Sequence, residues 1–409
     1  MTTTTMTLGG TRTAPALDRA AELLLLAFVA ALQIQISLAQ IVLSAMLVCW
    51  AALLVRDRVP PSAPAFFLPL AAYAALTLVS ALFSLDAAES FLDSKQLVLF
   101  LIVPAVYHIA GPRPGGATGG MRASMVVDVI VTVGAAGAAV GIIQYGMLQY
   151  DNLGQRPQGT LTHYMTYSGV LMLVICAAVA RLVFGSRERT WPALVMPALV
   201  VALSLTLGRA AWVGTSVAVG LLLVLKDLRL TALLPVVIAL VFALAPDSVT
   251  DRMMSVFDQK DPTRIDRLDM MRIGAGIVGD FPLTGVGPNM VPRVYAEYQD
   301  PATDGRVNPH LHNVPLQIAA ERGLPALGAW LWFVAVLGSA LYRLFRAGPD
   351  RVLSGAALAA VTAMLAAGMF EYNFGDSEFL MLLLVLVTLP FAAARQHTGP
   401  AHAAAPDRA

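Results

Sequence analysis

The stretch NPHLHNVPLQIAAERGLPALGAW, residues 308–330, sets two histidines, an asparagine and a Glu-Arg-Gly triplet where a polar segment gives way to a long apolar run. His312 is followed by Asn313 and Pro315, an order that predicts a helix start with Asn313 as N-cap and Pro315 in the first turn. Beside a helix N-terminus the positive dipole end disfavours imidazolium, which suits an imidazole acting as general base. Glu321 falls near the end of that short helix, and Gly323 stops it before Leu324-Pro325 opens the next span. His310 and His312, two residues apart with no cysteine or nearby carboxylate, form an incomplete zinc set, so no metal is expected.

Arginines supply the second kind of chemistry. Arg209, in LSLTLGRAAWVG, is flanked on both sides by apolar residues. Such an arginine costs several kcal/mol unless it reaches the headgroups or lines a polar cavity. In a cavity, its planar fork matches phosphate in bidentate fashion. Arg272 lies on an amphipathic stretch, 264–279, where Ile265, Leu268, Met271 and Ile273 alternate with Arg264, Arg267 and Arg272. This predicts a helix along the membrane surface, its arginines either at headgroups or, for Arg272, on an anionic ligand. Arg156 and His163 sit in QRPQGTLTHYMTYSG, a hydroxyl-rich helix start that either caps or binds sugars and pyrophosphate. In FEYNFGDSEF, Glu371, Asn373, Asp376 and Glu378 either hold sugar hydroxyls or arginines, or cap two helices.

These groups need a frame, and composition names its class. The 409 residues are 57% hydrophobic and 13% charged, with mean hydropathy +0.71, whereas soluble domains carry about a quarter charged residues. The apolar residues come in continuous blocks of roughly 20, the length of a spanning helix, not in the alternation of barrel strands. The expectation is an all-α polytopic membrane protein of about twelve spans. They lie near 21–38, 40–55, 65–84, 95–111, 124–148, 161–184, 191–207, 210–226, 229–246, 324–345, 352–370 and 377–394. Gly208-Arg209 is the hairpin point dividing the seventh span from the eighth. Residues 1–20 and 395–409 are expected as cytoplasmic tails, the first of them disordered. Residues 247–323 are expected as a long periplasmic loop between spans nine and ten, with short amphipathic helices. Cys49 and Cys176 lie inside apolar blocks and are expected as small buried hydrophobes.

Charge orients the frame. Arg56, Arg58, Arg113, Arg122, Arg187, Arg189, Lys226, Arg229, Arg343, Arg346 and Arg351 mark one set of short connections; Asp86, Glu89, Asp93, Asp151, Glu371, Asp376 and Glu378 mark the other. The basic set stays cytoplasmic, which puts both termini inside and the His312 segment outside. A net charge of +1 gives no bulk basicity for nucleic acid. No nucleotide-binding loop occurs in the chain, so an outward site must draw on a donor already in the membrane.

The run His312-Asn313, Leu316, Glu321, Gly323 and Gly328, following RIGAGIVGDFPLTGVGP and the hairpin GRAAWVG, resembles the O-antigen ligase and polymerase-like superfamily of bacterial GT-C membrane glycosyltransferases, most closely the ligases. The resemblance implies transfer of a glycan from undecaprenyl diphosphate to a sugar hydroxyl of lipid A–core in the periplasmic leaflet of the inner membrane, without metal, nucleotide or other cofactor. It implies His312 as base, and Arg209 and Arg272 on the diphosphate. Arg156, His163, Asn313, Glu321 and Asp376 are then the substrate-binding set, with THYMTYSG standing where many members carry an Asn-Pro-Asn type of sequence. A Wzy-like polymerase shares these features. A transporter fits less well, because transporters gather charge near the midplane, whereas here it collects at one face.

Overall fold

The computed structural model describes residues 14–111, 123–186, 189–255, 258, 261–300 and 307–397. Most of both expected tails, and the loop bases Arg113, Arg122 and Arg187, lie outside these residues. The described residues are helical, with no strand among them: α1 (Ala14–Ala31), α2 (Ile36–Asp57), α3 (Phe67–Leu82), α4 (Ala87–Asp93), α5 (Ile102–Ile109), α6 (Ala123–Leu148), α7 (Tyr164–Phe184) and α8 (Thr190–Leu205). They continue with α9 (Arg209–Lys226), α10 (Leu233–Leu244), α11 (Asp247–Met254), α12 (Pro262–Asp280), α13 (Val291–Tyr298), α14 (Val314–Ala347), α15 (Arg351–Gly368) and α16 (Ser377–His397).

Eight of the described helical segments are long and apolar enough to cross a membrane, rather than the twelve expected. The shortfall has physical causes. α3 and α8 have 16 residues each, about 24 Å at 1.5 Å per residue, short of the roughly 30 Å of hydrocarbon. Residues 228–244 divide into a short 3-10 turn and the 12-residue α10. α1 carries Asp18, Arg19 and Glu22 near its start. α7, α15 and α16 are the most enclosed spans, and α15 packs against α7, α9, α14 and α16. Cys49 and Cys176 are buried, as expected.

α14 is broken near its start, and the break positions the functional segment. Gly323 adopts φ 80°, ψ 169°, a left-handed φ that glycine takes without steric cost. A break there orphans the carbonyls that end the first piece of the helix. The loop 281–289 satisfies them: the Val286 and Gly287 N–H groups donate to the Ala320 and Glu321 oxygens at 3.0 and 2.9 Å, and Leu324 N–H donates to Pro282 O at 2.8 Å. Ser80 Oγ also donates to Glu321 O. The approach is too close for side chains, since a Cβ on Gly285 would lie 2.3 Å from the Glu321 carbonyl carbon. GDFPLTGVGP and ERGLP are therefore two halves of one backbone clamp. The short helix 314–322 starts as expected, with Asn313 Oδ1 accepting from Leu316 N–H at 2.9 Å.

α12 forms over the expected amphipathic stretch but buries a different stripe from the one expected. Of the four positions read as its apolar stripe, Ile265, Leu268 and Met271 are exposed and only Ile273 is buried. The buried stripe is Met270, Ile273 and Ile277, packed with Val291, Val294, Tyr295 and Leu311 in a small core separate from the main bundle. This core fixes the rotation of α12 about its axis, and with it which arginine faces inward.

Gly323→Ala would put a Cβ 2.2 Å from Leu283 O, on top of a left-handed φ that costs a non-glycine residue about 1–2 kcal/mol. The expected result is a clear drop in the thermal midpoint of the detergent-purified protein. Gly328→Ala, with open space around the added methyl, is expected to leave the midpoint unchanged or slightly raised.

Candidate functional site

Above α9 and α15 lies a cleft of about 200 Å³, several times the roughly 30 Å³ a water occupies in the liquid. The start of α7, the α8–α9 turn, α11, α12, the segment before α14 and the turn after α15 all contribute to its wall. Arg156, Arg209, Arg252 and Arg267 line it, with Asp266, His312 and Glu371. Arg209 arrives there because α8 ends at Leu205, Leu207 turns through φ 56°, and Gly208 caps α9. Its guanidinium therefore stands at a helix N-terminus, whose positive dipole end also favours anions.

Four guanidiniums face two lining carboxylates. Behind them, Asp261 accepts from Arg209 Nη1 at 3.0 Å and stands 3.7 Å from Arg252 Nη1. Burial alone would raise the Asp261 carboxyl, but hydrogen bonds from the Arg209 and Thr263 side chains and the Arg209 charge outweigh it and hold it down at about 2. Burial disfavours the charge of Arg156, Arg252 and Arg267, and the positive charge of Arg209 pushes all three in the same direction, second to burial for Arg252 and Arg267 and behind an opposing Tyr164 for Arg156. Arg156 stacks 4.1 Å over the Tyr164 ring. Arg267 Nη2 donates to Phe370 O at 3.0 Å. A multiply charged anion in the cleft would relieve the repulsion among these groups.

His312 sits at φ 48°, a conformation that costs a non-glycine residue about 1–3 kcal/mol and persists only where its surroundings enforce it. Its Nδ1 is 3.1 Å from both oxygens of Glu371, of which Oε1 also accepts the Tyr372 N–H. A carboxylate accepts from Nδ1–H, so the lone pair is left on Nε2. Burial would raise Glu371, but the His312 hydrogen bond and the two imidazoles prevail and hold its carboxyl below the usual range. The fold thus brings a carboxylate to the histidines from 59 residues away. The expected incomplete zinc set becomes His310, His312 and Glu371, whose ligand atoms lie within 4.8 Å of one another. His310 itself is held below its usual value, first by burial and then by His312.

A second chamber of about 180 Å³ adjoins the cleft, the two sharing Met165, Gly169, Glu371 and Asn373. His163 and Asp376 line it. His163 Nδ1 caps α7 by accepting from Met165 N–H at 3.2 Å, and Asp376 Oδ1 caps α16 by accepting from Phe379 N–H at 2.9 Å.

Residues 193–331 match the family model described as O-antigen ligase. No curated protein matches the chain. The matched segment holds Arg209, Arg252, Arg267 and His312; the cleft is completed from outside it by Arg156, Tyr164 and Glu371.

Of the residues singled out from sequence, Arg156, Arg209, His312, Glu371 and Asn373 meet in the cleft. Arg272 does not. Its side chain is 78% exposed and pairs with Asp269, because it follows Arg267 by five residues, roughly 140° around a helix. Asn313 and Glu321 also lie outside both chambers. Asn313 is a cap that ties α14 to Met369 O. Glu321 is buried, accepting from Arg322 Nη1 at 2.6 Å and from Asn289 N–H at 3.0 Å. Arg252, Arg267 and the Glu371–His312 pair were not foreseen. Arg267 was within reach of the sequence, since a buried stripe at Met270, Ile273 and Ile277 places it inward. The Glu371 contact carries no local signal.

Arg267→Ala is expected to weaken pyrophosphate binding, measured by calorimetry, by about 10–100-fold, the range of one lost charge-assisted hydrogen bond at 1.5–3 kcal/mol. Arg272→Ala, removing an exposed pair, is expected to leave binding within about twofold.

Proposed function

We propose that this protein is a glycosyltransferase that moves a glycan from a polyprenyl diphosphate, undecaprenyl diphosphate in bacteria, to a sugar hydroxyl of lipid A–core at the periplasmic face of the inner membrane. The observation that carries this reading is the convergence of Arg156, Arg209, Arg252 and Arg267 with the His312–Glu371 pair in one cleft.

In this reading the guanidiniums bind the lipid diphosphate and stabilise the charge that grows on it as the C1–O bond breaks, electrostatic help of the kind that is usually largest in such sites. Nε2 of His312 takes the proton of the acceptor hydroxyl as its oxygen attacks C1 from the opposite side. Glu371 fixes the ring and stabilises the imidazolium that forms. The products are the glycosidic bond, with inversion at C1, and free polyprenyl diphosphate. Arginine supplies the charge that other phosphate sites take from a metal, and no cofactor enters the scheme. The roles first expected of Arg272 pass to Arg252 and Arg267, which face the cleft.

Two features support the membrane setting. α10 has no buried residue, and Leu234 meets α9 at Gly220, so α9 and α10 offer an apolar face beside the cleft for a prenyl tail. The basic residues Arg56, Lys226, Arg346 and Arg351 cluster at the ends of α2, α9 and α14 and the start of α15, away from the cleft, the pattern of a cytoplasmic side.

Purified protein given lipid-linked glycan and rough lipopolysaccharide is expected to form the ligated product. His312→Ala is expected to lower the rate by about 10²–10⁴-fold, the usual contribution of a general base, with Glu371→Gln in between. EDTA is expected to leave the rate unchanged. Loss on chelation would instead put a divalent metal at His310, His312 and Glu371. Transfer only to a second lipid-linked repeat would make the protein a polymerase.

A further inference from the structure

The two chambers differ in chemistry. Arg156, Arg209, Arg252 and Arg267 line the first, while the second is lined by His163, His310, Thr166, Asp376 and Phe379 with no arginine or lysine. Its carboxylates, Asp376 and the shared Glu371, would repel a phosphate. Hydroxyl and amide acceptors beside an aromatic ring suit a neutral polyhydroxylated ring. Two polar atoms on residues of this wall have no partner: Nδ1 of His310 and Oδ1 of Asn373, the latter residue 6% exposed. Buried polar groups are ordinarily satisfied, so a ligand hydroxyl reaching them would supply what the protein lacks.

We propose that the second chamber holds the acceptor sugar and delivers its attacking hydroxyl past Glu371 to His312. The assignment rests on the glycosyl-transfer reading and adds direction to it. An in-line displacement keeps nucleophile and leaving group on opposite sides of the anomeric carbon. With the diphosphate on the arginines of the first cleft, the acceptor comes from the chamber that has none. Gly169, shared by both walls, leaves the passage free of a side chain. Asp376, anchored by Phe379 N–H and Thr166 Oγ1, is a fixed hydroxyl acceptor there. His163, held by Met165 N–H, offers the edge of its ring.

Asp376→Asn keeps the cap and removes the charge; His163→Asn keeps a capping oxygen and removes the ring. Both are assayed with rough lipopolysaccharide as acceptor at saturating lipid-linked glycan, and pyrophosphate binding is measured on the same preparations. The expected result is a rise in acceptor KM of about tenfold in each, worth one hydrogen bond, with pyrophosphate Kd and the KM for the lipid-linked glycan unchanged. An unchanged acceptor KM, or a shift in donor KM instead, overturns the assignment while leaving the transfer reading intact. Should one variant fail to fold, the other decides. A wild-type protein that binds pyrophosphate but transfers to no sugar acceptor refutes the transfer reading itself, and the acceptor chamber with it.

Discussion

Four guanidiniums held on the wall of one cleft repel one another, and burial of three of them adds to the cost. The surrounding structure carries that cost by fixing each arginine to something that cannot move. Arg209 starts a spanning helix and is tied to buried Asp261. Arg156 is stacked on Tyr164, and Arg267 is bound to the backbone of the turn that bears Glu371. Such a cluster is least costly with an anion present. A preference for an anion over a neutral ligand therefore follows from arrangement, with no single arginine deciding it.

The imidazole reaches the same cleft by a different device. A continuous α14 would start its helix with no reason to turn at residue 312. The break at Gly323, closed by the backbone of 281–289, frees the short helix 314–322 to take its own angle. Asn313 fastens its start to the end of α15, close to where Glu371 can grip Nδ1 of His312. The left-handed backbone at His312 is the residual strain of this arrangement. Packing, a glycine break and one carboxylate together set the position of a single nitrogen.

Much of this was legible in the sequence. Apolar blocks gave the helical membrane class, Gly208-Arg209 marked the α8–α9 turn, and Asn313 and Gly323 marked both ends of the short helix. What was not legible depended on rotation and distance. α12 has two apolar stripes, and the sequence does not say which one a partner helix covers; the covered one turns Arg267 into the cleft, while Arg272, which the family resemblance had put on the diphosphate, is exposed. Glu321 looked like a site residue because it stands beside the histidines in the chain, yet it is buried under the clamp with Arg322. Glu371 is remote in sequence and adjacent in space, a relation that spacing rules cannot reach. The span count failed where short helices and 3-10 turns interrupt apolar runs that read as continuous.

The most direct test is a structure of the protein in lipid with an isoprenoid diphosphate bound. The diphosphate is expected between Arg156, Arg209, Arg252 and Arg267, with the phosphate that carries the glycan in the full donor on the side of His312 and its prenyl chain along α9 and α10. A diphosphate seated on Arg272, or held at the basic ends of α2, α9 and α14, would contradict the account.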